Sequence, residues 1–456
     1  MQAGIYITDE LCVYGEKMGG FSSLQTYSQF ATFGLLLFVV VVIFYAMYKT
    51  RTLYRSVEKE YHDLQSRVRE YHRDDYVSDT LSSPKNAVQK KSIAAYYHLA
   101  VHCDEIYHSA NGEGMSDDAR IRCELIQNRT CEAKCLLVTV RGTKTLEDIL
   151  WDTNIFGISP GDDLRDNERN LLTELVNTFG EPADTGKPGE RLTELLTWRT
   201  PDEDVTPNVL QVSHGVWTLA KRVLAHLSAF SKARTEVDFS KIQIMLAGHS
   251  LGGGAAFLAT LVLSCIKPTA TRIACVTFGQ PRVLLTPLAR RPEPPLEKWQ
   301  IQKRSIMRYL STALSNNGVC YHRVVTDEDP IALVPTRVPR ARNSSGEKFV
   351  HVPQAIVIKE DDGNVEISRE WSTSSVKNSH AVALSFLRGV ATFLLHRSHK
   401  MKSYIRLLDI LVGDGTFTSH RHDTDSVDWL AIFEVTSVYH RTSLHPTRTS
   451  FKIFGN

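Results

Sequence analysis

Hydrophobic positions follow three patterns along the chain. The first is an unbroken apolar run. Phe30 to Tyr48 reads FATFGLLLFVVVVIFYAMY, and no charged residue occurs from Met18 to Tyr48. A helix needs about 20 apolar residues to cross the hydrocarbon layer of a bilayer, so residues 30–48 are expected to form a single transmembrane helix after a short N-terminal segment, 1–29. The run is too long and starts too far from Met1 for a cleavable signal peptide. The second pattern is a stripe: Leu53, Val57, Tyr61, Leu64, Val68 and Tyr71 recur at steps of 4, 4, 3, 4 and 3. That spacing is helical and close to a heptad seam. It predicts a stalk, which either dimerises through 53–71 or lies on the globular domain that follows or on lipid headgroups. Ser78 to Lys91 is polar, contains a proline, and reads as a linker, so the stalk and linker together take up 49–91.

From Ser92 the pattern changes to short apolar runs alternating with amphipathic stretches. The helical AAYYHLAVHCDEIY precedes a strand at Leu136–Val140. Val216, Leu219, Ala220, Val223, Leu224 and Leu227 mark a helix. Strand Ile242–Leu246, a buried helix from Leu251, strands Ile273–Phe278, Val319–Val325 and Val350–Ile358, and helix Ala381–Leu395 follow. Strands alternating with helices imply an α/β fold with a mostly parallel sheet flanked by helices. Residues 145–208 interrupt this alternation with polar, glycine-rich and acidic sequence, and read as an insertion or a mobile lid. The main globular domain is placed at 92–400. Residues 401–456 carry no legible chemistry and are expected to be an extension.

Charge changes the picture only locally. The 53 basic and 51 acidic residues leave a net charge of +2, which gives no reason to expect a nucleic-acid partner. The basic residues Lys49, Arg51, Arg55 and Lys59 follow the apolar run, while Lys17 precedes it among Asp9, Glu10 and Glu16. Positive flanks stay cytoplasmic, so the bulk of the chain is expected in the cytosol. Two glycosylation sequons, at Asn128 and Asn343, lie beyond the run and would then stay bare. Eight cysteines show neither a disulfide framework nor a zinc set, and are read as buried small hydrophobes or free thiols. No metal or organic cofactor is called for.

The sharpest chemical signal is IQIMLAGHSLGGGAAFLATL, which holds the pentapeptide Gly248-His249-Ser250-Leu251-Gly252. An apolar strand runs in and an apolar helix runs out. A serine on such a turn stands in strained backbone with its hydroxyl presented. Gly248 and Gly252 clear the space where strand and helix cross. The amides of the following helix stabilise negative charge, beginning with that of Leu251.

Several separated motifs agree with this elbow in order: Arg141-Gly142-Thr143 with Asp148 and Asp152, Ser213-His214-Gly215, Thr277-Phe278-Gly279-Gln280-Pro281-Arg282, Arg323-Val324-Val325 followed by Asp329-Pro330, and Phe349-Val350-His351. Over about Ser92 to Arg397 the chain resembles the fungal-type (class 3) lipases and the related sn-1 diacylglycerol lipases of the α/β-hydrolase superfamily. The resemblance implies a Ser-Asp-His triad in that chain order. Asp329 fits the acid, with Asp327 and Glu328 as rivals. The base is expected at His380, at a loop end before an apolar helix, rather than at His351, inside an apolar strand. His249 adjoins the serine and would point away, and His214 comes too early in the chain. The resemblance further implies that Thr143 supplies an oxyanion donor beside the Leu251 amide. The expected activity is hydrolysis of glycerolipid esters, tri- or diacylglycerol first, by an enzyme held at a bilayer. A silent scaffold that binds lipid or protein, and an esterase or acyltransferase on another ester, are the alternatives.

Overall fold

The structure, a computed structural model, describes residues 87–108, 115, 120–127, 134–142, 157–160, 169–179, 197–198, 208–209, 211–266, 273–286, 309–327, 329, 331–333, 348–351, 355–361, 364–368, 399–412, 427, 429 and 431–433. Helix α1 (Ala87–His108) leads into the antiparallel pair β1 (Ile121–Gln127) and β2 (Lys134–Val140). Helices α2 (Arg169–Phe179) and α3 (His214–Lys232) precede strand β3 (Gln243–His249), helix α4 (Leu251–Ile266) and strand β4 (Ile273–Phe278). Strands β5 (Val319–Thr326), β6 (Ala355–Asp361) and β7 (Asn364–Ser368) and helix α5 (Met401–Val412) complete the set.

Strands β1 to β7 lie side by side in chain order in one sheet. β2 through β6 are mutually parallel, and the antiparallel β1 and β7 close the two edges. This is the α/β layered fold expected from the alternating pattern. Parallel neighbours need a crossover, and α4 supplies the one between β3 and β4. A second, four-stranded sheet joins residues 348–350, 284–286, 211–213 and 157–158.

Strand periodicity divides the core in two. Ile244 and Leu246 of β3 face a core built with α2, α3 and α4, while Met245 and Ala247 face the other, built with α1 and α5. Helix α4 is buried at every position, which explains its apolar composition on all faces.

Several expectations change. The run Val350–Ile358 is not one strand: residues 348–350 pair in the small sheet with 284–286, and residues 355–361 join β5. Pro353 lies between them and cannot donate to a ladder. Within 145–208, α2 is not a peripheral cover. Its Leu172, Leu175 and Phe179 are buried in the core shared with α3. Beyond residue 400, Tyr404, Leu407, Leu408, Trp429, Ile432 and Phe433 are buried in the α1-side core. Among the described residues no helix is long and apolar enough to cross a membrane. The apolar run 30–48, the stripe 53–71 and helix 381–395 lie outside the described residues. Six cysteines (103, 123, 135, 265, 275 and 320) are buried thiols outside any disulfide, and burial pushes the Cys135 and Cys275 thiols up to about 12.

Candidate active site

The carboxyl ends of the parallel strands converge at Ser250, where ligands bind in open α/β sheets. β3 stops at His249 and α4 starts at Leu251, so Ser250 alone makes the turn. Its φ of +56 makes it the only non-glycine residue with positive φ among those described. Such backbone costs roughly 1–3 kcal/mol and persists only where surroundings enforce it. Here the Ser250 N–H donates to Phe278 O at 2.9 Å and the Gly254 N–H donates to Ser250 O at 3.2 Å. The flanking glycines are required by space. A Cβ on Gly248 would stand 2.5 Å from Gly252 O, and one on Gly252 would stand 2.3 Å from Val140 O.

Two further side chains complete a line from the serine. The Ser250 Oγ lies 2.8 Å from His399 Nε2. On the far side of the ring, His399 Nδ1 lies 2.9 Å from Asp329 Oδ2 and 3.1 Å from Oδ1. A carboxylate only accepts, so Nδ1 carries the proton and Nε2 is free to accept from the serine hydroxyl. All three side chains are buried, Asp329 fully. Asp329 stands just past β5 and is held from three directions. The Ile331 N–H donates to Oδ1 at 2.8 Å, the Tyr404 hydroxyl donates to Oδ2, and the Asp329 N–H donates to Thr326 O at 3.0 Å.

The class 3 lipase family model matches residues 137–338, a span that holds the end of β2, the elbow and Asp329. The chain resembles the class 3 lipases. That match makes it a carboxylic ester hydrolase. Similar solved structures include the Rhizomucor miehei lipase–propeptide complex (15% identity, 66% of this chain and 81% of that one, TM-score 0.34). Lip2 lipase from Yarrowia lipolytica (14%, 67% and 93%, TM-score 0.37) and the lipase from Rhizopus microsporus var. chinensis (16%, 65% and 83%, TM-score 0.33) are others. No curated protein matches the chain.

In this lipase-like site the histidine expected from sequence is corrected. His380 lies outside the described residues, and the imidazole between Ser250 and Asp329 is that of His399. The physical reason is where the chain returns to the serine. It does so at the start of α5, which packs on α1, and His399 is two residues before that helix. A signal was present. MKSYIRLLDILV is an amphipathic helix, and a histidine stands just ahead of it. The other candidates are elsewhere. His351 donates from Nε2 to Ala332 O at 2.6 Å. Asp327 is buried, with its N–H on Ile358 O at 2.9 Å. Glu328 and Thr143 lie outside the described residues. The residue before Thr143 borders the nucleophile, for a Cβ on Gly142 would stand 2.9 Å from Ser250 Cβ. Leu251 opens α4, so its amide has no partner within the helix.

Sequence reasoning gave Gly279 no role beyond its place in a motif, and it missed Tyr404. Gly279 has φ +56, and a Cβ there would stand 2.5 Å from Asp329 Oδ2 and 2.9 Å from the Tyr404 hydroxyl. The absent side chain makes the room in which acid, base and tyrosine meet. Burial, with the Asp329 charge and hydrogen bond, holds the Tyr404 phenol well above its usual range, so it remains a donor.

Proposed function

We propose that the chain is a lipase that hydrolyses glycerolipid esters, with Ser250 as nucleophile, His399 as general base and Asp329 as the acid that orients it. One observation carries this reading: the line of hydrogen bonds from Ser250 Oγ through both ring nitrogens of His399 to Asp329. As Ser250 Oγ attacks the ester carbonyl, its proton passes to His399 Nε2, and the Asp329 carboxylate stabilises the imidazolium. The tetrahedral oxyanion takes the Leu251 amide and the Thr143 donor that the family resemblance implies. Each such donor is worth about 3–4 kcal/mol of barrier. Collapse expels the alcohol, which takes the proton from His399. Water then attacks the acyl-serine, gives its proton to His399, and releases the fatty acid.

The glycerolipid substrate is supported by the family match and by the apolar run at 30–48, which would hold the enzyme at a lipid surface and raise its effective concentration there. The basic flank at Lys49, Arg51, Arg55 and Lys59 supports a cytosolic catalytic domain.

The test is fatty-acid release by the full chain from vesicles carrying di- or triacylglycerol, beside hydrolysis of short soluble esters, for wild type and Ser250→Ala. Wild type releases fatty acid and the variant does not. Turnover of soluble esters alone removes the lipid assignment, and no turnover of any ester removes the reading.

A further inference from the structure

His249, next to the serine, does not reach it, yet its ring is fully occupied. It stacks on the His399 ring with centroids 4.7 Å apart and planes 32° from parallel. Its Nε2 lies 2.7 Å from the backbone oxygen of His399, and its Nδ1 lies 2.8 Å from the Tyr107 hydroxyl. The Gly142 N–H donates to that same hydroxyl at 2.9 Å.

These contacts and the burial of the ring together leave one arrangement of protons. A carbonyl only accepts, so His249 Nε2 must carry a hydrogen. The ring is 5% exposed, and burial first, then the neighbouring His399, hold its pKa well below the ordinary value against the opposing bond to the His399 carbonyl. The imidazole is therefore neutral, and Nδ1 accepts the Tyr107 proton. The Tyr107 oxygen in turn accepts from Gly142. The groups facing His249 are Tyr107 from α1, and His399 and Tyr404 from the C-terminal segment, with Asp329 behind His399.

This chain of bonds spans both halves of the site. One end holds Gly142, whose position borders Ser250 and precedes Thr143. The other end holds the main chain of His399. We propose that Tyr107 and His249 are positioning residues, a neutral hydrogen-bonded relay that sets the oxyanion-side end of β2 and the general base against Ser250 together. The proposal rests on the triad reading above. Such a relay acts on geometry, and displacement of a reacting group by about 1 Å costs on the order of 100-fold. Its loss therefore lowers kcat and leaves KM little changed.

Three variants and one spectrum test it. His249→Leu keeps bulk and removes both bonds, and kcat falls roughly 10- to 100-fold. His249→Gln offers an N–H to His399 O and an oxygen to Tyr107, and it recovers most of the loss. Tyr107→Phe removes one hydroxyl and lowers kcat about fivefold. A folded His249→Leu with wild-type kcat overturns the relay, and so does a Gln variant as slow as the Leu variant. Should His249→Leu fail to fold, wild-type kcat in Tyr107→Phe has the same force. Imidazole nitrogen resonances of the wild type read the relay without turnover. His249 shows the neutral Nε2–H form, and an Nδ1–H form overturns the proposal. If a fluorophosphonate fails to label the wild type, the triad reading falls, and the spectrum still decides the relay.

Discussion

His399 Nε2 and Ser250 Oγ stand 2.8 Å apart although 149 positions separate them in the chain. The contact exists because two elements bring their ends to one place. β3 delivers the serine at the carboxyl edge of the sheet, and α5, packed on α1, delivers the histidine from the C-terminal segment. The family model ends at residue 338, before that segment begins.

The junction of Asp329, Tyr404 and His399 depends on Gly279. Gly279→Ala places a methyl 2.5 Å from Asp329 Oδ2 on backbone at φ +56. Left-handed backbone alone costs about 1–2 kcal/mol for a residue with a Cβ, and the overlap adds to it. The variant is expected to melt at lower temperature and to lose at least about tenfold in kcat, because Asp329 must shift. Thermal denaturation and steady-state kinetics check both. A variant with wild-type kcat would mean that the acid tolerates displacement.

Tyr404 donates to Asp329 Oδ2 from full burial. Tyr404→Phe removes that bond, together with the one the hydroxyl accepts from the Thr326 N–H at 3.4 Å, and keeps the ring. A hydrogen bond to a charged group contributes about 1.5–3 kcal/mol, so stability is expected to fall by that order and kcat/KM by roughly tenfold. Urea unfolding and kinetics measure the two losses. An unchanged kcat/KM would assign the tyrosine to packing alone.

A pH dependence of stability follows from His322. It is buried, accepts the Tyr96 hydroxyl at Nδ1, and donates from Nε2 to Ile432 O. Burial, opposed only by that backbone bond, lowers its pKa from 6.5 to about 4. Below pH 6.5 the unfolded chain binds a proton that the folded chain excludes, so stability falls as pH drops from about 6.5 towards 4. The contribution is on the order of 3 kcal/mol at the low end. His249, lowered by the same cause, adds to the same limb. Urea midpoints between pH 7 and 4 should fall less steeply in His322→Gln than in wild type. Equal slopes would contradict the assignment.

What the sequence disclosed was local. The elbow is a strand and a helix that meet within one pentapeptide, so spacing alone exposes Ser250, Gly248 and Gly252. Asp329 likewise announces itself behind an apolar strand and before a proline. The alternation of apolar runs gives the parallel sheet. The base is not local. Among 17 histidines, the one that meets the serine is chosen by how α5 packs on α1, and no spacing near Ser250 encodes that. His380 attracted the assignment because an apolar helical pattern follows it, and His399 has the same relation to α5. Residues 427–433 were equally opaque. Trp429 and Phe433 gain their meaning from burial against α1-side residues more than 300 positions earlier, as in the Ser92 hydroxyl's bond to Ala431 O, whose sequence separation is 339. Gly279 entered as one residue of the Thr277–Arg282 motif, and the meeting of three side chains explains it.

The central claim is that His399 activates Ser250. The direct measurement is the rate of covalent labelling by a fluorophosphonate for wild type, Ser250→Ala, His399→Ala and His380→Ala, each checked for a cooperative thermal transition. Members of a triad act as a unit, so losing the base costs nearly as much as losing the nucleophile, about 10³-fold or more. The account predicts rapid labelling of wild type and of His380→Ala, and none of Ser250→Ala. His399→Ala should be slowed by at least that factor. A folded His399→Ala that labels at the wild-type rate, with His380→Ala inert, would contradict it.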